Sequence, residues 1–451
     1  MTTEQVEEKV RETLHAITLD EVRAPGDLVE KVLRRRSQRR FSQAAGAAMA
    51  VAAITVGAVL GLGGGGAAEQ DRSVRQAASP EGWKPWQSGA PGASERGCLV
   101  DGSALYCSGS KYDAAKFDAN TGQQLWAVKV NREGDNGIPF AVRDGVVYAY
   151  RNHTAENQPN GDYMGGTDLM AVDADTGDVL WTVELPQDDR TDQAAMLIDG
   201  AVLANTPSLR TVSALDPLTG KKKWALTWDK GVVCQRAVLS GVPYLLCMRD
   251  AEESDHTDVL RLDPATGRAK NVTTIPGVQQ LIGTSGDRMV LIGGKDAAGK
   301  DTQLTTISSS GEQTSHSYRT EGELANREIV EDRLISVSRQ GKVSAYSLTT
   351  GKTLWTSPAG VKMPVKDTMM RTASSVVSAR QGVVYFFSPT GDLSGLDLRT
   401  GEQVWRGHVD PGKSGQRGPS IGHSPQLLCY EDVLVVRNGS EIVSLLPRIG
   451  H

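Results

Sequence analysis

The five cysteines are the residues whose spacing most directly permits chemistry, and that chemistry is disulfide formation. A two-residue turn in the middle of GCLVDGSALYC places Cys98 directly across a hairpin from Cys107, and the equivalent turn in CQRAVLSGVPYLLC places Cys234 across from Cys247. If the residues closing each turn are hydrogen-bonded, both pairs occupy non-hydrogen-bonded positions, where Cα atoms lie about 4.5 Å apart. We therefore expect two hairpin disulfides, with four buried thiols as the alternative. Cys429 has no partner by this count and is expected to be a buried thiol in an inner strand.

Metal chemistry is suggested only by the run from Asp173 to Asp178, where carboxylates alternate with small residues around Gly177. A calcium loop also spaces its carboxylates in this way, but it is closed by a downstream glutamate. That glutamate is absent, and equivalent segments keep the turn while replacing these aspartates with Pro, Asn or Ser. The run is therefore interpreted as a tight turn, and no metal site is predicted.

Polar side chains that could form a ligand or partner surface lie in loops of variable length. No phosphate-binding loop or nucleophile motif accompanies them. The loops are 152–166, 186–194, 249–257, 360–374 and 410–425. Their candidate residues are His153, Asp162, Arg190, His256, Lys366, Met369, Met370, Arg371, Arg417 and His423. A solvated loop explains each residue singly, so a binding surface requires several of them to converge.

The elements that position these loops are copies of one hairpin. The segment MAVDADTGDVLW, residues 170–181, is a strand, a tight turn at its Thr-Gly and a second strand ending in tryptophan. Similar segments recur at intervals from 40 residues (Gly311 to Gly351) to 55 residues (Gly122 to Gly177). The tryptophans that end the hairpins are Trp126, Trp181, Trp224, Trp355 and Trp405. Two degenerate copies end instead in Asn271 and Ser315.

Each repeat carries a second hairpin upstream, with turns at positions such as Gly145, Gly200 and Gly382 between alternating apolar residues. Two hairpins give four antiparallel strands, and the period is typical of a propeller blade. Because one small sheet cannot bury both faces alone, the blades must stack around a ring. The sequence thus predicts an all-β propeller of eight blades, or seven. Short turns would lie on one face and the variable loops on the other.

The repeat also carries a family resemblance. The pattern A-x-D-x-x-T-G-x-x-x-W occurs at residues 171–181 and 214–224 and, with Gly395 in first place, at 395–405. It resembles the repeat of quinoprotein-like (PQQ-like) β-propellers over roughly residues 81–447. This family includes pyrroloquinoline quinone (PQQ) dehydrogenases and non-enzymatic relatives, among them a propeller lipoprotein that assists β-barrel assembly in outer membranes. The resemblance implies an eight-bladed ring in which each tryptophan docks on the neighbouring blade, but it does not by itself imply catalysis.

The resemblance also states what a PQQ enzyme would need. Such an enzyme holds its cofactor beside a vicinal Cys-Cys disulfide, with calcium and a catalytic aspartate nearby. No two cysteines are adjacent in this chain, so no cofactor ligand can be assigned. We therefore expect no cofactor and no catalytic, cofactor-binding or metal-binding residue, and we interpret the repeat tryptophans as structural. The alternative is a PQQ-dependent dehydrogenase with a divergent cofactor site.

The N-terminal region differs from the repeats. Apolar residues at helical spacing predict a helical segment over 1–43, and the charge-free run that follows predicts a transmembrane helix over 44–66. Five arginines between residues 34 and 40 place the N-terminus in the cytoplasm and the propeller outside by the positive-inside rule. The alternative is a signal peptide cleaved near Ala68. A lipoprotein anchor is not expected, because no cysteine lies near the run.

Residues 67–80 are predicted to be a flexible linker and 81–447 the propeller domain. The chain's end supplies three strands without a Thr-Gly turn or a tryptophan. The piece containing Trp83 and Trp86 is therefore expected to provide the fourth strand of the last blade, which closes the ring and removes its open edges.

Composition completes the functional expectation. The net charge of −5 offers no basic field for nucleic acid. We expect a single-pass protein of the cell membrane that contacts the bilayer through residues 44–66. Its propeller would be a scaffold or sensor without catalysis, binding an unknown protein or small molecule on the variable-loop face.

Overall fold

The computed structural model describes residues 74–89, 97–109, 111–130, 138–153, 166–186, 194–249, 254–294, 302–319, 324–362, 374–388, 390–410, 426–438 and 441–449. All of them belong to the second of two compact units, Arg72–His451, and the first unit is Met1–Asp71. The helical segment expected at 1–43, the transmembrane helix expected at 44–66 and linker residues 67–73 lie outside the described residues. Within the described ranges, no helix is long and apolar enough to cross a bilayer.

The described part of the chain forms eight antiparallel sheets of four strands each, and these sheets are the blades of a β-propeller. The strands of each blade run from inner to outer in chain order, except in blade 8, where β1 is the outer strand. Blades 1 and 2 contain β2 (Gly97–Asp101), β3 (Ala104–Ser108), β4 (Tyr112–Asp118) and β5 (Gln124–Lys129), then β6 (Ala141–Arg143), β7 (Val146–His153), β8 (Gly166–Asp173) and β9 (Val179–Leu185). Blades 3 and 4 contain β10 (Ala195–Ile198), β11 (Ala201–Asn205), β12 (Thr211–Leu215) and β13 (Lys222–Thr227), then β14 (Val232–Leu239), β15 (Val242–Arg249), β16 (His256–Leu262) and β17 (Ala269–Pro276).

The second half of the ring repeats this order. Blades 5 and 6 contain β18 (Val278–Ser285), β19 (Arg288–Gly294), β20 (Thr302–Ser308) and β21 (Gln313–Ser317), then β22 (Leu324–Val330), β23 (Arg333–Ser338), β24 (Lys342–Ser347) and β25 (Thr353–Pro358). Blades 7 and 8 contain β26 (Ser374–Ser378), β27 (Val383–Phe387), β28 (Asp392–Asp397) and β29 (Gln403–His408), then β30 (Gln426–Tyr430), β31 (Val433–Asn438), β32 (Glu441–Leu445) and β1 (Trp86–Gly89).

The ring is closed by the N-terminal strand, as the sequence predicted. Strand β1 pairs antiparallel with β32, with Trp86 opposite Ser444 and Gly89 opposite Glu441. Blade 8 therefore takes three strands from the end of the chain and its outer strand from residues before blade 1. The blade count is eight, the first of the two expected numbers.

Short hairpin turns lie on one face of the ring, which we call the short-turn face. Asp144 and Gly145 both have positive φ, at 52° and 80°, and so do Ser240 and Gly241, at 48° and 81°. Two successive residues with positive φ match a type I′ turn, whose twist suits a two-residue hairpin. The strand ends that lead to the connections between second and third strands and between blades lie on the opposite face, which we call the variable-loop face.

The apolar core lies between the blades rather than within one centre. Among the described residues there are eight buried apolar clusters, one at each joint between neighbouring blades. The side chains of Tyr148, Tyr244, Tyr385, Phe386 and Phe387 are among the largest that are fully buried. Each joint thus buries the two facing sheet surfaces that a single blade would leave exposed.

Candidate functional site

Four joints that carry a repeat tryptophan are closed by the same contact. The indole Nε1 donates a hydrogen bond to the carbonyl of the second residue in the turn that joins the third and fourth strands of the next blade. The pairs are Trp126 with Ala174 (3.1 Å), Trp181 with Pro217 (3.1 Å), Trp224 with Pro264 (2.8 Å) and Trp355 with Leu398 (2.9 Å). Each contact links the outer edges of two blades, so these tryptophans hold the ring together.

The turn that receives each indole is shaped by its own side chains. Asp173 Oδ1 accepts hydrogen bonds from the backbone N–H groups of Asp175 and Thr176, both at 2.9 Å. Gly220, in the equivalent turn of blade 3, has φ of 67°, and a Cβ there would lie 2.9 Å from the Trp181 ring. The aspartate therefore orders the turn, and glycine lets the indole approach it.

A fifth tryptophan that makes this contact, Trp86, was not assigned a docking role from the sequence. Its Nε1 donates to the carbonyl of Ala119 in the turn of blade 1 at 2.9 Å. The ring of Trp86 also lies against Gly122, as Trp181 lies against Gly220. No Thr-Gly turn precedes Trp86, because its strand is not joined to blade 8 by a hairpin. Its equivalence to the repeat tryptophans is apparent only in the closed ring, where its strand lies beside β32.

The two joints whose repeat lacks tryptophan are closed by other groups. Between blades 4 and 5, Val272 lies against Gly311, and the Tyr244 hydroxyl donates to the carbonyl of Ser309 at 3.4 Å. Ser309 occupies the same turn position as Pro217 and Pro264. The smaller valine is thus accompanied by a hydrogen bond from a tyrosine of the second strand. This joint therefore has a contact between blades even though its repeat ends in Asn271 and not in tryptophan.

Between blades 5 and 6, the docking side chain is His316. It lies one residue after Ser315, which the repeat pattern aligned with tryptophan. The His316 ring lies against Gly351, and its Nε2 is 3.1 Å from the carbonyl of Thr349. An imidazole therefore takes the place of the indole, and the sequence alignment of the repeat missed it by one position.

The joint between blades 7 and 8 is closed by the chain's own ends. Blade 8 has no turn between its third and outer strands, so Trp405 has no turn carbonyl to contact. Val74 and Ile449 pack against the apolar cluster that contains Trp405. We call residues 74–80 the strap, because Arg75 N donates to Gln381 O at 3.1 Å and Ala78 N donates to Asp432 Oδ2 at 2.8 Å.

The strap falls within the segment 67–80 that the sequence predicted to be a flexible linker. Its composition contains little to form a core, but the split blade leaves an apolar surface, a carbonyl and a buried carboxylate without a hairpin to cover them. Asp432 is only 1% exposed. The strap supplies a donor to this carboxylate, which explains why residues 74–80 lie on the ring.

Glutamine side chains join two pairs of neighbouring inner strands, and we call these contacts the glutamine clasps. Gln426 of blade 8 accepts from Cys98 N at 2.7 Å and donates to Cys98 O at 2.8 Å in blade 1. Gln235 of blade 4 donates to Gln279 O at 2.9 Å and accepts from Leu281 N at 2.8 Å in blade 5. Each amide therefore mimics one rung of a β-ladder between strands that are not otherwise paired.

Two further joints have inner contacts of a different kind. Leu427 N of blade 8 donates to Ser374 Oγ of blade 7 at 3.0 Å. Glu328 of blade 6 accepts hydrogen bonds from Ser375 and from the backbone of Val377 in blade 7. Burial raises the pKa of the Glu328 carboxyl, and these hydrogen bonds only partly oppose that effect.

Both expected disulfides are present. Cys98 faces Cys107 and Cys234 faces Cys247, with Cα separations of 4.0 and 4.1 Å. Each joins the innermost strand of a blade to the second strand. Cys429 lies in inner strand β30 as a free thiol of intermediate burial. Loss of hydration raises its pKa to about 12, with a further contribution from Asp432, so the thiol is not a reactive thiolate at neutral pH.

The candidate residues of the variable loops are described only in part. His153 ends strand β7. His256 is described fully: its Nδ1 is 2.5 Å from Asp255 Oδ1 and its Nε2 is 3.8 Å from Asp258 Oδ2. The hydrogen bond from His256 is the main cause that lowers the pKa of Asp255. The remaining candidates lie outside the described residues, namely Asp162, Arg190, Lys366, Met369, Met370, Arg371, Arg417 and His423.

A second histidine on the same face was not among the sequence candidates. His408 Nδ1 is 3.1 Å from Asp392 Oδ1, and His408 Nε2 is 3.7 Å from Asp410 Oδ1. His256 and His408 thus each lie between two carboxylates at the variable-loop ends of blades 4 and 7. The sequence signal for this arrangement is that His408 lies two residues before Asp410. Asp410 is the first residue of a candidate loop.

The described residues do not fit the cofactor arrangement of a PQQ dehydrogenase. That arrangement needs a disulfide between adjacent cysteines, whereas the two disulfides here join residues separated by 9 and 13 positions and cross-link strands. In the run from Asp173 to Asp178, the Asp173 carboxylate accepts hydrogen bonds from two backbone N–H groups of its own turn, and Asp178 accepts one from the Thr176 hydroxyl. Within the described part of the chain, no group of three or more His, Cys, Asp or Glu side chains is placed to hold a metal ion.

Comparison with known sequences gives the family. The family described as Outer membrane protein assembly factor BamB matches residues 110–294 and 255–448. Together these matches cover most of the chain. The chain belongs to this family. A comparison with curated proteins found no match.

Solved structures that resemble this chain include a BamB protein. BamB from Moraxella catarrhalis is 14% identical over 82% of this chain and 99% of that chain, with a TM-score of 0.50. The computationally designed Ika8 protein is 13% identical over 79% of this chain and 97% of that chain, with a TM-score of 0.52. A quinohemoprotein alcohol dehydrogenase from Pseudomonas putida is 13% identical over 81% of this chain and 76% of that chain, with a TM-score of 0.49. At such identities, likeness to the BamB and Ika8 structures establishes the fold alone.

Proposed function

We propose that this BamB-family propeller is a membrane-anchored scaffold that binds a protein partner outside the cytoplasm and catalyses no reaction. The observation that carries the proposal is the family match, which extends over nearly the whole ring. The family is described as an assembly factor, a role that requires binding rather than bond chemistry. The binding surface would be the variable-loop face, because loops on a rigid frame are the usual site of recognition.

Two further observations support an extracytoplasmic location. Both hairpin disulfides are formed, and such bonds persist in oxidising compartments. The run of arginines before residues 44–66 favours an N-terminus in the cytoplasm. The proposal is therefore a single-pass protein whose ring stands outside the membrane.

The first experiment tests the competing enzyme. Purified residues 69–451 are examined for a quinone absorbance band and then heated with and without saturating PQQ and calcium. A ligand at about a hundred times its dissociation constant stabilises a protein by about 2.7 kcal/mol, a readily measured rise in melting temperature. We expect no band and no rise. A clear rise would replace the scaffold with a dehydrogenase.

The second experiment tests which face binds the partner. A photo-reactive amino acid is placed at Val233, which is 56% exposed near the variable-loop end of β14, or at Leu218, which is 50% exposed in a short turn of blade 3. We expect a discrete cross-linked species in intact cells from Val233 and none from Leu218. The opposite pattern would move the binding surface to the short-turn face.

A further inference from the structure

The two glutamine clasps lie at opposite points of the ring. The Gln426 clasp joins blades 8 and 1, and the Gln235 clasp joins blades 4 and 5. Four blades separate these two joints in either direction. A line through them divides the ring into blades 1–4 and blades 5–8.

At the outer edges of these two joints, the contact is not made by a tryptophan at the end of a blade's own hairpin. Between blades 4 and 5 the tryptophan is absent, and Val272 and Tyr244 make the contact. Between blades 8 and 1 the contact is made by Trp86, whose strand joins blade 8 by pairing with β32 and not by a covalent hairpin. The inner clasps therefore reinforce joints whose outer edges lack a tryptophan on a covalent hairpin.

Each disulfide lies at one clasp. Cys98 provides both backbone groups that Gln426 contacts, and Cys98 is bonded to Cys107. Gln235 directly follows Cys234, which is bonded to Cys247. An inner strand is a sheet edge, paired with only one neighbour in its own blade. The disulfide is thus the covalent restraint that fixes the strand against that neighbour and presents it to the next blade.

The clasp tolerates little movement of these strands. Gln235 must reach Gln279 O and Leu281 N together, and both hydrogen bonds are shorter than 3 Å. Small displacements of a donor or acceptor weaken such bonds steeply. Loss of the disulfide leaves the inner strand held to its neighbour by the β-ladder alone. A shift of the strand would then separate the amide from its two partners.

We propose that the two disulfides are redox-sensitive locks on a two-part ring. In the oxidised protein they hold both glutamine clasps closed, and the eight blades move as one body. A dithiol reductant breaks each S–S bond by donating two electrons and two protons, which leaves two cysteine thiols and the oxidised, cyclic form of the reductant. Blades 1–4 and blades 5–8 then move relative to each other about the two opposite joints. This inference rests on the joints alone and does not depend on the proposed partner.

The first test follows one clasp through the backbone N–H of Leu281. This group belongs to blade 5, whereas the disulfide belongs to blade 4. In the variant Cys234→Ala with Cys247→Ala, we expect hydrogen exchange at Leu281 to become about tenfold faster, in line with the loss of one hydrogen bond's protection. The N–H of Leu427 is the control, because it donates to Ser374 at a joint without a disulfide. Its exchange should stay unchanged, and unchanged exchange at Leu281 would overturn the proposal.

A double-mutant comparison distinguishes opening of the Gln235 clasp from a general loss of stability in the cysteine variant. Gln235→Ala should itself accelerate exchange at Leu281 about tenfold. Added to the cysteine variant, it should change the rate little further, because the clasp is already open. Two accelerations that multiply would show that disulfide and clasp act independently and would refute the lock. If the cysteine variant does not fold, the same exchange is measured on the full natural chain with dithiothreitol, and an unchanged rate there refutes it equally.

The second test measures the motion of the two halves. Leu180 in blade 2 and Leu354 in blade 6 are 42% and 44% exposed at equivalent positions of opposite halves. The variants Leu180→Cys and Leu354→Cys carry dyes through thioether bonds at these two positions. Energy transfer between the dyes reports the distance across the ring. We expect the distribution of distances to broaden on reduction. A pair at Leu125 and Leu180, within one half, should not change. Equal behaviour of both pairs would contradict a two-part ring.

Discussion

At the scale of single residues, the ring is held by repeated contacts in which one side chain reaches the next blade. Trp181 is 8% exposed and combines an apolar ring with one donated hydrogen bond. The two contributions can be separated because phenylalanine keeps most of the ring area and lacks the N–H group. The tryptophan joints therefore allow a direct comparison of packing with hydrogen bonding.

We predict that Trp181→Ala lowers the free energy of unfolding by about 3–5 kcal/mol, the range for removing a buried aromatic side chain. Trp181→Phe should cost less, about 1–2 kcal/mol, because the Pro217 carbonyl loses one of its donors while the contact with Gly220 largely remains. Urea denaturation of both variants measures the difference. Equal losses would mean that the hydrogen bond, rather than the ring, dominates the joint.

The buried carboxyl of Glu328 gives a pH-dependent prediction. Burial raises its pKa in the folded protein, so the folded state binds the proton more tightly than the unfolded chain does. Its contribution to stability is complete below the unfolded pKa of about 4.3 and is lost as pH rises through the folded value. Glu328→Gln should therefore stabilise the protein at neutral pH and have less effect at pH 4. Melting temperatures across this range test the prediction, and a variant that is less stable at pH 7 would contradict it.

The sequence located some of these residues well and others poorly. The disulfides followed from counting across a hairpin, since register is fixed by the turn. The docking of Trp86 and His316 did not follow, because each depends on which turn of another blade lies opposite. The residues of the glutamine clasps were also missed. Gln235 and Gln426 lie in inner strands, where repeat patterns report burial but not contacts between edges.

At the scale of elements, the strap shows how a split blade is completed. Residues 74–80 cover the place where seven other blades have a hairpin turn, and they contact Gln381 O and Asp432. The expected linker composition gave no sign of this, because the strap binds mainly through backbone N–H groups. Ring closure by an N-terminal strand was predictable, since three strands at the chain's end require a fourth.

We predict that a chain beginning at residue 81 is less stable than one beginning at residue 69. It loses the hydrogen bonds at Arg75 and Ala78 and leaves the buried Asp432 carboxylate with less compensation. The expected loss is about 2–4 kcal/mol, the sum of two or three hydrogen bonds. Comparison of the two melting curves is the measurement. A chain beginning at residue 90 lacks β1 and should not fold cooperatively. Equal stability of the chains from 69 and 81 would show that the strap is not part of the ring.

At the scale of the whole molecule, closure couples joints that are far apart. Trp181 and Trp355 close the joints between blades 2 and 3 and between blades 6 and 7. Mutations at distant sites usually add within about 0.5 kcal/mol. In a closed ring, however, one weakened joint stays together because the rest of the ring holds its two sides at high effective concentration.

We therefore predict that Trp181→Ala and Trp355→Ala together cost at least about 1 kcal/mol more than the sum of the single changes. A control pair, Trp181→Ala with Leu209→Ala, should add, since Leu209 is 42% exposed in a loop of blade 3. Denaturation of the unchanged protein, the three single variants and the two double variants provides both cycles. Simple additivity at the two tryptophans would mean that each joint is stable independently of ring closure.

The pairing of β1 with β32 also determines how late in synthesis of the chain the ring can close. Gln87 and Glu441, which contact each other across these strands, are 354 residues apart in sequence. A ribosome adding about 5–20 residues per second needs roughly 20–70 s to make the intervening chain. During that interval Trp86 already exists, but the strand it must pair with does not. The nascent chain therefore emerges with an unpaired aromatic strand ahead of its first blade, and the ring cannot close until the strands of blade 8 have been made.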